Sequence, residues 1–403
     1  MLATIRGEPT DRLPFSPRMQ LWYVGQQARG TLPRRFAGLN MAELANALGV
    51  ACYTVHADPT IQRVPADEFA LRALLGNVNH VDYPYRCEIK GLPVTFRQEG
   101  ELYYTTIRTQ AGDVTTVMEF TEAMARSGIS APHVIKFPIA SLDDLERVAQ
   151  VFEHVEVIPT PEAYAAFRRR VGEQGIAVAH AGRGAASPMQ HILHDLMPQV
   201  EFFYMYADER KALTAFAKRM EPFFERVLDA VLACEAEVIY WGSNYDQDIT
   251  PPTFFQEEIA PWLKRVSARM HAAGKFMLCH ADGENHRLLP YYPPCGFDIA
   301  ESVCPKPMTH CTLKELREGM GPRVTVWGGL CSTAFLKDSM SDEEFEAYLD
   351  KTFGELGTGE RLIFGVSDMV PTDADLGRIE RVNERIEAFG PVSPSSTLRV
   401  QPA

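Results

Sequence analysis

Residues 275–286 read KFMLCHADGENH. An apolar run of strand length ends, without a spacer, in His280, Asp282, Glu284, Asn285 and His286. A continuous apolar run bounded by a glycine turn reads as a buried parallel strand, and its polar residues then sit at the strand's C-terminal end. Seven similar runs lie around it: 13–19 (LPFSPRM), 50–55 (VACYTV), 176–181 (IAVAHA), 237–242 (EVIYWG), 298–303 (DIAESV), 324–330 (VTVWGGL) and 362–367 (LIFGVS). Between them lie amphipathic stretches with helix-start signals, Ser141 before Asp144, Thr312 before Glu315, Ser341 before Glu344, and Thr160 followed by Pro161. Eight alternating βα units predict an α/β fold, a (β/α)₈ TIM barrel, although an open doubly wound sheet would show nearly the same alternation.

One segment departs from that rhythm. Residues 78–121 are a series of short period-two runs separated by glycine turns, which predicts an antiparallel β-meander inserted in the N-terminal half. We expect a single barrel domain over 1–390 that includes this insertion, followed by a Pro/Ser-containing tail at 391–403.

The 403 residues are 46% hydrophobic and 23% charged, the balance of a globular chain with a large core, and no apolar run approaches a membrane span. The start of the chain lacks the pattern of a secretory signal, so a cytoplasmic location is expected. A net charge of −13 without a basic run argues against a nucleic-acid partner. The eight cysteines are scattered and form no CxxC pair, which disfavours a disulfide framework or a four-cysteine zinc module. No glycine-rich phosphate loop, GxSxG or HExxH occurs. A homodimer is left open.

In a barrel, chemistry belongs at the C-terminal ends of the strands. Candidates there are Trp22 and Tyr23, His56 and Asp58, His180 and Arg183, Asn244, Tyr245 and Asp246, Trp327, and Ser367 and Asp368. Period-two alternation puts His280 and Asp282 on one face, which suits two ligands of one ion; the plainer alternative is a buried histidine hydrogen-bonded to Asp282 with no metal. Glu258, or its neighbour Glu257, on the helix preceding that strand could add a carboxylate, or could simply face solvent. The aromatic residues Trp22, Tyr23 and Trp327 could wall a pocket for a flat substrate or belong to the core.

Taken together, these stretches resemble the uroporphyrinogen-decarboxylase superfamily. The resemblance rests on Arg6-Gly7-Glu8-Pro9-Thr10-Asp11-Arg12-Leu13-Pro14, on 241–261 (WGSNYDQDITPPTFFQEEIAP), on His280-x-Asp282-Gly283, on 305–317 (PKPMTHCTLKELR) and on 364–371 (FGVSDMVP). It implies a (β/α)₈ barrel. True decarboxylases of the family carry Arg-x-x-x-Arg after the first strand, whereas here Arg18 is followed by Met19-Gln20-Leu21-Trp22. The thiol methyltransferases hold zinc with His-x-Cys and a distant Cys; here Asp282 replaces the first cysteine, and the late position falls near Ser367 and Asp368. Oxygen donors in place of thiolates make a harder site, suited to polarising an ether oxygen.

The His280-x-Asp282-Gly283 turn with the stretch 305–317 that follows it resembles the methyltransferase component of corrinoid-dependent O-demethylases. That resemblance implies a methoxylated substrate, a corrinoid (cobalamin) on a separate partner protein, and zinc held by His280, Glu258 and Asp282. Asp246, Asn244, Tyr245 and Asp368 would be catalytic, and Trp22, Tyr23, His180 and Trp327 would bind substrate. Two alternatives are kept: metal-free decarboxylation with Arg18 or Arg183 on a substrate carboxylate and Asp58 or Asp246 stabilising a cationic intermediate, and a non-catalytic corrinoid-protein docking or ligand-sensing module.

Overall fold

The computed structural model describes residues 1–393 apart from 63–64, 77–78, 130 and 182–184; the last group includes Arg183, and the tail beyond 393 also lies outside it. Twelve strands follow one another along the described chain: β1 (Tyr85–Ile89), β2 (Val94–Glu99), β3 (Leu102–Thr109), β4 (Gly112–Glu119), β5 (His133–Lys136), β6 (Val155–Pro159), β7 (Val178–His180), β8 (Val238–Ser243), β9 (Phe276–His280), β10 (Ile299–Val303), β11 (Thr325–Leu330) and β12 (Leu362–Val366). The last six form one parallel sheet in the order β12-β11-β10-β9-β8-β7. They coincide with the last six runs expected from the sequence.

The first two expected strands are reduced to bridges, Phe15 to Phe364 and Cys52 to Gly175, both parallel. The cause is local. Pro14 and Pro17 bring no N–H to a ladder, so residues 14–16 make only the Ser16 N–H to Phe364 and Phe364 N–H to Pro14 bonds on one side. On the other side Ala51 N–H donates to Phe15, and Cys52 N–H donates to Gln174 just ahead of β7. Backbone hydrogen bonds thus pass from β12 through these two segments to β7, in the strand order of a (β/α)₈ barrel.

Alternation along the strands sorts their side chains into two cores. Val178, Tyr240, Leu278, Ile299, Trp327 and Ile363 pack with Tyr53, Val55 and Ile5 in one cluster, the interior of the circuit. Their neighbours Ala179, Ile239, Met277, Cys279, Ala300, Val326 and Phe364 join the larger cluster beneath the helices. Capping boxes start the helices at Ser141, Thr312 and Ser341 as the sequence suggests, each contributing roughly 1 kcal/mol. Thr160 differs: its hydroxyl donates to the Tyr83 carbonyl rather than capping the helix Pro161–Val171.

The meander is present as the antiparallel sheet β2-β3-β4-β5, which extends past residue 121 to β5. Its expected first run goes elsewhere, since β1 pairs antiparallel with β6. Among the described residues no helix is long and apolar enough to cross a membrane.

Candidate active site

His280 ends β9 and stands in register beside Glu301 of β10. Leu278 and Ile299, two residues earlier on each strand, face the inner core, so alternation carries both polar side chains to the same interior at its C-terminal end. The His280 Nδ1 lies 2.5 Å from Glu301 Oε2, and Tyr53 donates its hydroxyl to Glu301 Oε1 at 2.9 Å. His280 is 5% and Glu301 2% exposed, so this is a charge-bearing pair in a nearly dry setting. Burial alone pushes the His280 imidazole down, but the Glu301 carboxylate outweighs it and raises the pKa above the ordinary histidine value.

Asp282, two residues on, is held above the usual carboxylate range by burial, against the pull of His280. Asp368 follows β12 in the left-handed region, φ 53°, and accepts from Arg18 Nη1 at 2.8 Å. One ligand atom each of His280, Asp282 and Asp368 lie within 4.8 Å of one another. With Nδ1 taken by Glu301, His280 is left with Nε2 to offer, the carboxylate–histidine arrangement that commonly backs a metal ligand. A nitrogen and two carboxylate oxygens are a donor set that would suit zinc or a similar divalent ion. The residues present therefore fit such an ion.

A wall of rings adjoins this group. His56 sits 6.1 Å from His280, 5.5 Å from His180 and 5.7 Å from Tyr240, measured between ring centroids. His180, at the end of β7, stacks on Tyr83 at 4.6 Å with the planes 9° apart.

The other expected site residues are placed differently. Trp327 lies in the inner core, its ring edge-on to Tyr53 and its indole N–H donating to Ser16. Trp22 and Tyr23 are buried on the helix Gln20–Arg29, where Trp22 packs edge-on to Phe36 and the Tyr23 hydroxyl donates to the Phe36 carbonyl. Tyr245 is fully buried against Phe255 and Tyr292. Both Asp246 oxygens accept backbone N–H bonds, from Asp248 and Glu284, which ties the loop after β8 to the loop after β9. Asp58 likewise accepts from the backbone of Met41 and Thr60.

Glu258 stands outside the His280 group. It accepts from Tyr206 at 2.7 Å and Arg210 at 2.9 Å, and Arg210 also binds Glu257. Its helix is interrupted by a π turn, Phe255–Ile259, just ahead of Pro261, which cannot donate a regular helical bond. Asn244 has its backbone N–H on the His280 carbonyl and its side chain against His194. Sequence reading misses Glu301 and Tyr53 as site residues. Glu301 had a signal, a carboxylate inside the apolar run DIAESV, since charged residues are seldom buried unless paired.

A parallel α/β fold of barrel order, with a histidine and two carboxylates gathered at the strand ends, defines an enzyme-type site on a (β/α)₈ scaffold. The family model for uroporphyrinogen decarboxylase (URO-D) matches residues 116–389, well over half of the chain, and the protein belongs to that family. No curated protein compared with it matches in sequence. Among solved structures it is similar to a methyltransferase from Methanosarcina mazei, with 16% identity and a TM-score of 0.51 over 96% of this chain and 97% of the other.

Proposed function

We propose that this protein is a methyltransferase that takes the methyl group from a methoxylated, aromatic substrate and passes it to the reduced cobalt of a corrinoid on a separate protein. The observation that supports it most is the group His280, Asp282 and Asp368 with Glu301 behind the histidine. A zinc ion held there would act as a Lewis acid toward the ether oxygen. The chain's own part is positional. Glu301 fixes the His280 ring and directs Nε2 toward the two aspartates, while Arg18 holds Asp368 against its own negative charge. The rings of His56, His180, Tyr83 and Tyr240 offer flat faces beside His280 for an aromatic substrate. The methyl carbon–oxygen bond would break, the methyl group passing to the corrinoid as co-substrate and the freed oxygen taking a proton from solvent. A methyltransferase of similar fold is consistent with this reading.

The test offers a panel of methoxylated aromatics and chemically reduced cobalamin to protein with and without prior chelation, and follows the change in cobalt absorbance. Methylation of cobalt that chelation abolishes and zinc restores is the expected result. Full activity after exhaustive chelation would contradict the metal-assisted route.

A second reading, metal-free decarboxylation, draws on one observation. Arg18 is enclosed at the same strand ends, and its Nε has no partner among the described residues, so it could take a substrate carboxylate. It predicts carbon dioxide release that chelation does not affect.

A further inference from the structure

The strand β10 does not run straight into the site. Its residues pair in step with β11 up to Glu301 opposite Trp327, and the next pair is Val303 with Gly328, which leaves Ser302 as an extra residue, a β-bulge. Bulges are uncommon between parallel strands, and beside active sites they re-aim side chains. This one does so. Ile299 belongs to the inner core and Ala300 to the outer one, and strict alternation past Glu301 would return Val303 to the inside; instead Val303 belongs to the outer core.

Ser302 stands at φ 64°, in the left-handed region that glycine adopts at the lowest cost. A side chain kept at such a position points to a use for that side chain. The hydrogen bonds show one: the Ser302 hydroxyl oxygen accepts the Asp368 N–H at 2.7 Å. That bond reaches across the sheet, since β11 lies between β10 and β12. Ser302 has little freedom to shift, because a Cβ on Gly328 of β11 would come within 2.6 Å of the Val303 nitrogen and 2.7 Å of its oxygen. Ser367 adds to the same tie, its hydroxyl lying 3.1 Å from the Val303 carbonyl and 2.8 Å from the Leu330 carbonyl.

Of the three residues gathered for an ion, Asp368 depends most on such a tie. His280 is held by its place on β9, in register with Glu301, and by the Glu301 carboxylate. Asp368 comes two residues after β12 ends and itself stands at φ 53°. Its carboxylate is drawn by Arg18 at 2.8 Å, yet keeps an oxygen within 4.8 Å of the ligand atoms of His280 and Asp282.

We propose that Ser302 is a positioning residue for the metal site: its hydroxyl holds the Asp368 main chain in the left-handed turn that directs the carboxylate toward His280 and Asp282. This role rests on the metal-assisted reading above. Adjacent residues of one bulge then serve two ligands, Glu301 behind His280 and Ser302 behind Asp368.

Two variants of the full-length protein separate this role from a purely structural one. Ser302→Ala removes the hydroxyl and keeps the left-handed strain, whereas Ser302→Gly removes the hydroxyl and relieves the strain. Urea unfolding of the metal-free proteins should therefore rank Ser302→Gly above Ser302→Ala. Zinc affinity, read by competition with a chromophoric chelator, should fall about 10–100-fold in both, the range for losing a group that orients a metal ligand. Affinity would then follow the hydroxyl and not the stability. In an Asp368→Asn background, adding Ser302→Ala should change the affinity by no more than about twofold, because the ligand it positions is already compromised.

Zinc bound by wild type with an affinity unchanged in both Ser302 variants would overturn the proposal and leave the metal reading standing. Affinity lost in Ser302→Ala but kept in Ser302→Gly would overturn it too, as would an undiminished further loss in the Asp368→Asn background. No zinc bound by wild type would overturn both.

Discussion

The two ends of the parallel sheet each carry a histidine–carboxylate pair, and the two pairs differ in everything except the chemistry of the groups. At the strand-start end His271 Nε2 lies 2.9 Å from Asp298 Oδ2, and the same oxygen accepts the Met277 N–H. The His271 side chain is 46% exposed, and its surroundings are stitches: Lys275 donates to the Cys234 and Ala236 carbonyls, and Arg361 donates to the Ile5 carbonyl. At the strand-finish end the His280–Glu301 pair is enclosed, one oxygen of Glu301 is taken by Tyr53, and two more carboxyls, Asp282 and Asp368, face the same histidine. Solvent screens the first pair, which ties the end of the helix Ala260–Ala272 to the start of β10. Burial of the second would be a liability for a fold that needed only stability. That asymmetry is what a barrel enzyme shows between its stability face and its active face.

The comparison can be sharpened by changing each end. Glu301→Gln should have the largest effect: losing the carboxylate behind His280 is expected to weaken divalent-metal affinity about 10–100-fold, read by competition with a chromophoric chelator. An unchanged affinity would mean that the pair is structural. Asp246→Ala should separate stitching from chemistry. It removes acceptors of the Asp248 and Glu284 N–H groups and should lower stability by roughly 1–3 kcal/mol in urea unfolding, with metal uptake intact. At the opposite end His271→Ala should lower stability by about 1 kcal/mol or less and leave metal uptake untouched.

The pH dependence of the two ends shares a sign but not a consequence. His271, raised by its bond to Asp298, and His280, raised because Glu301 outweighs burial, both stabilise the metal-free fold fully below the ordinary histidine value of 6.5. Each contribution is lost as pH rises through the raised folded pKa. Metal uptake at the His280 end runs the other way, because a proton on Nε2 competes with the ion, so affinity should climb over the same window. Calorimetric titrations at several pH values in wild type and His271→Ala check this; the climb should be the same in both proteins.

Much of this was readable from the chain. The six regular strands and the cluster around His280 follow from largely apolar runs that end in polar residues, the pattern of a parallel strand buried on both faces. The two proline-bearing or irregular segments, 13–19 and 50–55, were readable as positions in the circuit but not as ladders, because Pro14 and Pro17 remove donors from the first and single bridges suffice for both. Neither the pairing of β1 with β6 nor the partners of Glu258 could be read. Both depend on contacts between segments far apart in sequence, Tyr85 with Pro159 and Glu258 with Tyr206 and Arg210. Asp246 and Tyr245 look catalytic by position, yet one side chain is spent on backbone N–H groups and the other is fully buried among rings. Position at a strand end gives access to the mouth, and only the third dimension shows which side chains use it.

The central claim is that His280, Asp282 and Asp368, rather than Glu258, would hold a metal ion. The most direct measurement is the metal content of protein equilibrated with zinc and freed of excess, for wild type beside His280→Ala, Asp368→Asn and Glu258→Ala. We predict about one ion per chain in wild type and in Glu258→Ala, none in His280→Ala, and a much weakened site in Asp368→Asn. Loss of the ion in Glu258→Ala with retention in Asp368→Asn, or no ion in wild type, would contradict it.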